Sequence, residues 1–265
     1  VIVDSLHQYG YVMVRGVPDY QMIRDAYVAE AYAFSKVEDK SPFTPIDSNS
    51  RGWDRGIETF NGYKDLYKGS FYAAYPDQPG NLWPNEEYRN GYLRLAGLIR
   101  QVGEQVLGLL PLPSFEVKSI ARGLDYAAIP KSDHDPNPFW CGVHRDHGAW
   151  TGLASSVYLD PETGERHPEP STAGLHVRGV KVTIPDDCLA FQVGEVAQLL
   201  SDDQILATEH HVAKAYGLQR ITMAVFMYPP DDFVLQSSSQ AFPERFSNGM
   251  TYGEWNRRSL ARYKK

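Results

Sequence analysis

Beyond Phe115 the chain breaks into short runs, and these constrain its fold more than any other feature. EVKSIARGL, WCGVHRDHG, LASSVYL, GLHVRGV, LAFQVGEVAQLL, ATEHHVAKAY and RITMAVFMYP are each alternating or apolar, and turn residues separate them. Runs of that length, rich in β-branched and aromatic residues and repeating about every 8–12 residues, predict an all-β sandwich or barrel. About eight short antiparallel strands in two sheets would close into a jelly roll, a solution that protects strand edges. The expected class is therefore mainly β with flanking helices, around a double-stranded β-helix (cupin-like) core.

The remainder of the chain frames that core. GYVMVRGV near the start reads as one strand, broken by Gly-Val-Pro. Apolar residues at helical spacing, Ile23, Ala26, Tyr27, Ala31 and Phe34, predict a helix over 19–37. Residues 41–90, with many Gly, Pro and Asn, are expected to be largely loop. NGYLRLAGLIRQVGEQVLGLL (90–110) predicts a second helix, ended by Pro111 and Pro113. TYGEWNRRSLARYKK (251–265) reads as a basic terminal helix. The expected organisation is one structural unit: a mainly helical region 1–115, a jelly-roll core 116–235 and a helical tail 236–265. The polar stretch DPETGERHPEPSTAG (160–174) interrupts the strands as an insertion. Two readings are open for it, a lid over a site or a solvated hairpin tip.

Composition excludes several functions. A net charge of −7 leaves no basic face of the kind nucleic acid requires. No run of about 18 apolar residues is present to span a membrane. VIVDSLHQYGYVMV lacks the basic start and long apolar run of a signal peptide. With only Cys141 and Cys188, a disulfide framework is not expected, and a reducing cytoplasm is the default compartment. Oligomeric state is not legible.

Chemistry enters with His144-Arg145-Asp146. On a strand, residues i and i+2 face one side, so this triplet aims an imidazole and a carboxylate at one point. A lone His-x-Asp arises often by chance and, among eight histidines, means little by itself. More follows downstream. His210 opens a strand-like run, and after it come Arg220-Ile221-Thr222 and the apolar Met223, Ala224, Val225 and Phe226. Two His and one carboxylate bind one face of a non-haem iron(II) and leave the other open. Arg220 and Thr222 share a strand face, a guanidinium beside a hydroxyl suited to a carboxylate. Alternation points His147 and His211 away from the faces of Asp146 and His210. Phe226 shares the face of Arg220 and is a candidate pocket wall, and Trp150 a candidate for its entrance; plain core packing is the competing reading for both.

VHRDHGAWTGL, GLHV, FQVGEVAQLL, ATEHHV and RITMAVFMYPP, in this order, resemble the iron(II)/2-oxoglutarate dioxygenase superfamily, in its isopenicillin N synthase-like branch. GYVMVRGVPDYQMIRDAYVAEAYAFSKVEDK, NLWP and TYGEWNRR are similar to that branch as well. The family pattern is His-x-Asp, a distal His and Arg-x-Ser; here it reads His144-Arg145-Asp146, His210 and Arg220-Ile221-Thr222, with threonine keeping the hydroxyl. The family's Asn-x-Tyr is Leu124-Asp125-Tyr126, so only the tyrosine carries over.

The resemblance implies iron(II) on His144, Asp146 and His210. It also implies 2-oxoglutarate as co-substrate on Arg220 and Thr222 with help from Tyr126, and O₂ as oxidant. A small-molecule substrate would be hydroxylated, desaturated or cyclised, with release of succinate and CO₂. Three rivals stand beside it: an iron oxidase using no 2-oxoglutarate, a non-catalytic cupin-like binding protein, and a zinc hydrolase on His144, His147 and His210 with Glu209 as base.

Overall fold

Hydrophobic alternation in the second half does produce strands, and they assemble into two facing sheets. The computed structural model describes residues 2–45, 51–60, 62–130, 132 and 136–261. The chain opens with α1 (Ile2–Tyr9), β1 (Tyr11–Arg15) and α2 (Tyr20–Ser35). Then come β2 (Gly52–Arg55), a small hairpin of β3 (Thr59–Phe60) and β4 (Tyr63–Lys64), and β5 (Lys68–Tyr75). α3 (Glu86–Leu107) leads into β6 (Lys118–Tyr126), β7 (Phe139–His144), β8 (Trp150–Ala154), β9 (Val157–Leu159) and β10 (Arg166–His167). β11 (Gly174–Val177), β12 (Val180–Lys181), β13 (Cys188–Val193), α4 (Glu195–Leu200), β14 (His210–Ala213), β15 (Gln219–Tyr228) and α5 (Tyr252–Leu260) complete the order.

The larger sheet runs β1-β13-β8-β15-β6-β5-β2, with β9 paired to β15 and β10 paired to β9; the smaller runs β12-β11-β14-β7. All these pairings are antiparallel. This is the expected jelly roll. β1 is the strand expected near the start, whereas β2 and β5 come from the stretch expected to be loop. The expected loop at 41–90 in fact holds the eight-residue strand β5, paired along its length with β6; the expectation also covers residues 46–50 and 61, which lie outside the described residues. KGSFYAAY gives a weak strand signal because it carries Gly and Ala in place of β-branched residues; Gly69 makes room for the Trp53 ring, which a Cβ would meet at 2.2 Å. LAFQVGEVAQLL is likewise two elements, strand β13 and then helix α4, not one strand.

α3 starts earlier than its apolar spacing alone predicts. Asn85 caps it, its side chain accepting the Tyr88 N–H at 2.7 Å, and Glu86 and Glu87 face the positive end of the helix. Tyr88, Tyr92, Leu95, Ile99, Gly103 and Val106 form its buried stripe against the larger sheet. Gly152 permits this approach, since a Cβ there would lie 2.4 Å from Ile99 and 2.7 Å from Phe191. Along β15 the outward residues Ile221, Met223, Val225 and Met227 join this core, while Arg220, Thr222, Ala224 and Phe226 face the space between the sheets. The 160–174 insertion does not cover that space. It forms the β9–β10 hairpin and docks on α2, with Pro161 accepting from Tyr32 and Lys36 and Arg166 paired to Asp25 at 2.8 Å. α5 closes the far end as expected, although residues 262–265 of the expected helix lie outside the described residues.

Candidate metal centre

His144 ends β7 and His210 begins β14, and the two are register partners in the smaller sheet. Their rings therefore lie side by side, with centroids 4.2 Å apart. Asp146 follows the end of β7 and lies in a turn, so it does not share the strand geometry its spacing predicts. That turn is fixed from behind by the start of α4: Glu195 N–H donates to the Asp146 carbonyl at 2.7 Å, and Val196 N–H to the Gly148 carbonyl at 2.9 Å. Gly194 is required there, since a Cβ would lie 2.1 Å from the Gly148 oxygen.

The three ligand atoms converge within 4.8 Å of one another. Each imidazole is oriented by its other nitrogen. His144 Nδ1 donates to the Gly142 carbonyl at 2.8 Å, and His210 Nδ1 to the Thr208 carbonyl at 3.0 Å. A carbonyl only accepts, so Nε2 of each ring is the atom left to meet a metal; the Gln192 amide nitrogen, 3.0 Å from His210 Nε2, must give way, and His144 must release its second proton, when one enters. Asp146 is held in the same manner. Its Oδ2 accepts from Thr151 Oγ1 at 2.7 Å and from Gln192 Nε2 at 3.0 Å. Oδ1 then faces the imidazoles, 3.5 Å from His144 Nε2 and 3.9 Å from His210 Nε2. Metal bonds of about 2.1 Å at right angles place donors about 3 Å apart, so a first-row divalent ion fits with a small inward adjustment. The donor set, two imidazoles and a carboxylate on one side, suits iron(II).

The electrostatics set the two imidazoles apart. Burial opposes a charge on His144, but Cys141 and Asp146 outweigh it and hold its pKa well above the ordinary imidazole value. Burial, then the neighbouring His144, push His210 down to about 4. Burial would raise Asp146, yet His210 and His144 keep it far below the usual carboxylate range.

The sheets enclose a cavity of about 60 Å³ lined by the triad and by Tyr126, Arg220, Thr222 and Phe226 among others. Arg220 is buried, with its guanidinium 5.0 Å above the Tyr126 ring and its Nε without a hydrogen-bond partner. Tyr126 and Tyr158 are its register partners on β6 and β9. Thr222 Oγ1 donates to the Ala154 carbonyl at 2.8 Å, so its proton must turn to serve a ligand. Of the two readings of Trp150, core packing holds and the pocket entrance does not. Trp150 is fully buried and stacked on Phe191 at 6.0 Å, and its neighbour Thr151 lines the cavity instead. The turn around Asp146 resets the alternation, so counting from His147 selects the wrong parity. His147 and His211 lie outside the ligand group. His147 Nε2 meets Asn256 Oδ1 at 2.9 Å, and His211 stacks on His176. Gln192 and Thr151 were not anticipated; a glutamine inside the apolar run LAFQV was the available signal.

Solved structures share this architecture. T7H of Neurospora crassa, crystallised with α-ketoglutarate (2-oxoglutarate), matches with a TM-score of 0.73 at 20% identity, over 98% of this chain and 90% of that one. The dioxygenase for auxin oxidation from rice matches at 0.64 and 19% identity, over 98% and 88%. JOX2, solved with 2OG, Fe and JA, matches at 0.65 and 17%, over 100% and 80%. The fold is that of the iron(II)/2-oxoglutarate oxygenases. No family model matches the sequence, and no curated protein matches it. Among the described residues no helix is long and apolar enough to cross a membrane, and both cysteines are free and buried.

Proposed function

We propose that this protein is an Fe(II)- and 2-oxoglutarate-dependent oxygenase that oxidises a small molecule, with hydroxylation as the default outcome and succinate and CO₂ as co-products. The carrying observation is the convergence of His144 Nε2, Asp146 Oδ1 and His210 Nε2 in a cavity that also presents Arg220. Bound iron would activate O₂ at the expense of the keto acid. The protein contributes placement. Arg220, which has no carboxylate in ion-pair reach among the described residues, is suited to hold the distal carboxylate of 2-oxoglutarate, and the Thr222 hydroxyl to donate to it. The aromatic ring of Tyr126 shapes that corner from below. Phe226 and Leu153 are the apolar walls against which a substrate would rest. T7H has been crystallised with thymine and with 5-formyluracil, which supports a small-molecule substrate. The free, buried cysteines support the cytoplasm as its place of work.

Arg220 beside Thr222 favours use of the keto acid over an oxidase that dispenses with it. A zinc hydrolase is disfavoured because Glu209, its one candidate base, is turned to Arg145 at 2.8 Å. The test is anaerobic loading with iron(II), followed by O₂-dependent conversion of 2-oxoglutarate to succinate. His210→Ala is expected to abolish it. Succinate formation at the parent rate in that variant rejects the assignment.

A further inference from the structure

The cavity presents a second guanidinium, that of Arg122, which the ligand triad and the co-substrate corner leave unused. Strand register places inward-facing residues in rows across the larger sheet. Thr222 is opposite Leu124, which is opposite Ser70, which is opposite Asp54. The next row runs from Ala224 through Arg122 to Tyr72. Arg122 lines the same cavity as the triad, with its side chain 11% exposed. Nη2 donates to Glu58 Oε2 at 2.7 Å and to Ser70 Oγ at 2.7 Å, and Nε donates to Ser70 at 3.0 Å. Nη1 makes no hydrogen bond to the described residues. Behind it Lys68 Nζ lies 2.6 Å from both Glu58 Oε2 and Asp65 Oδ2.

The two guanidiniums are therefore in opposite electrostatic settings. Arg220 faces the cavity with no carboxylate partner among the described residues. Arg122 and Lys68 are set among three carboxylates, Glu58, Asp65 and Asp54. Arg122 and Lys68 outweigh burial and hold Glu58 ionised far below the usual range, whereas burial lifts Asp54 to about 6. Near neutral pH this wall carries no net positive charge. Glu58 is not in the cavity lining but sits on Arg122 and neutralises it, so an incoming anion would gain little net attraction from this wall to offset its own desolvation. A neutral carbonyl oxygen would still accept a charge-assisted bond from Nη1. Phe226, Leu153 and Ile184 supply apolar surface in the same cavity for the body of such a molecule.

We propose that Arg122 is a specificity-determining residue that docks an uncharged carbonyl of the primary substrate, a lactam, imide or similar neutral heterocycle, and that the Glu58 carboxylate discriminates against anionic substrates. This rests on the oxygenase reading above, so that reading is tested first: the protein loaded with Mn(II) must bind 2-oxoglutarate by calorimetry, and failure there rejects the oxygenase assignment before any probe is added. Uracil and 2-pyridone are then titrated as neutral probes, benzoate and phenylacetate as anions of similar size. At least one neutral probe is expected to bind at least tenfold tighter than either anion. Arg122→Leu should weaken that probe tenfold or more and leave 2-oxoglutarate affinity unchanged. Glu58→Gln should narrow the gap by strengthening the anions. If thermal melting shows Arg122→Leu to be unfolded, Arg122→Lys, which keeps the charge but loses the fork, is compared instead and should also lose affinity for the neutral probe. Tighter binding of the anions, no binding of either class, or full affinity in the Arg122 variant each overturns the proposal.

Discussion

Thr151→Val tests how the carboxylate ligand is held. Thr151 is 2% exposed, and its hydroxyl donates to Asp146 Oδ2 at 2.7 Å, alongside the Gln192 amide at 3.0 Å. Together they pin one carboxylate oxygen and leave the other to face the imidazoles. Valine keeps the β-branched shape of threonine, so little packing volume is lost and the hydroxyl is the part removed. A hydrogen bond to a charged group contributes roughly 1.5–3 kcal/mol. At about 1.4 kcal/mol per factor of ten, the expected loss is about 10- to 100-fold in metal affinity, the range typical of groups that orient metal ligands. Anaerobic titration with iron(II), or with Mn(II) as a stable substitute, reads it directly. Thr151→Ser restores the hydroxyl and should recover most of the loss. Parent-like affinity in the valine variant would refute the reasoning, because Oδ2 would then need no donor. Equal losses in the valine and serine variants would assign the effect to packing.

Other predictions concern the remaining parts of the site. Arg220→Ala should raise the 2-oxoglutarate dissociation constant by about 30-fold or more, from roughly 2–5 kcal/mol for truncating one side of a buried charge pair, while metal affinity stays unchanged; equal loss of both would point to misfolding. Metal binding should weaken by about tenfold per pH unit as acidity rises, because the elevated pKa of His144 means that its proton must leave when a metal enters; release of about one proton per metal in weak buffer checks the sign, and an affinity flat between about pH 6 and 8 contradicts it. Glu195→Ala should be severely destabilising. It removes the two buried Glu195 contacts to Arg245, at 2.7 and 3.0 Å, and leaves only the exposed Glu244 carboxylate on that guanidinium, at a cost of roughly 3–5 kcal/mol, and at 2–4 °C per kcal/mol the melting midpoint should fall by roughly 10 °C.

The second half of the chain was legible because its information is local. Period-2 alternation assigns Arg220, Thr222 and Phe226 to one face of β15 without knowledge of any partner strand, and β15 runs for ten residues with no register shift against β6. His144 and His210 were readable as residue types but not as neighbours; only the pairing of β7 with β14 brings them together. What failed depended on phase or on distant support. The turn at 145–149 shifts the alternation before β8, which sends Trp150 to the core and Thr151 to the site. Gln192, Glu58 and Lys68 act through partners far away in sequence, and no spacing rule connects position 58 to position 122. The support for the metal turn is likewise remote: Trp255 Nε1 on α5 donates to the His147 carbonyl at 2.8 Å.

Strand register is what keeps these chemistries apart. A slip of one residue between β15 and β6 would exchange every side chain on β15 between its two faces. Arg220 and Thr222 would then be driven under α3, and Ile221 and Met223, both fully buried in the present core, would enter the polar cavity. An unpaired guanidinium in an apolar interface costs several kcal/mol. Four outward residues, Ile221, Met223, Val225 and Met227, would each lose roughly 1.5–3 kcal/mol of burial if exposed to water. Both penalties act against the same slip, so the apolar face fixes the position of the polar one. The Arg220–Thr222 corner is thus specified by residues that never touch it, and polar substitutions on the helix-facing side of β15 should disturb the cavity before they unfold the protein.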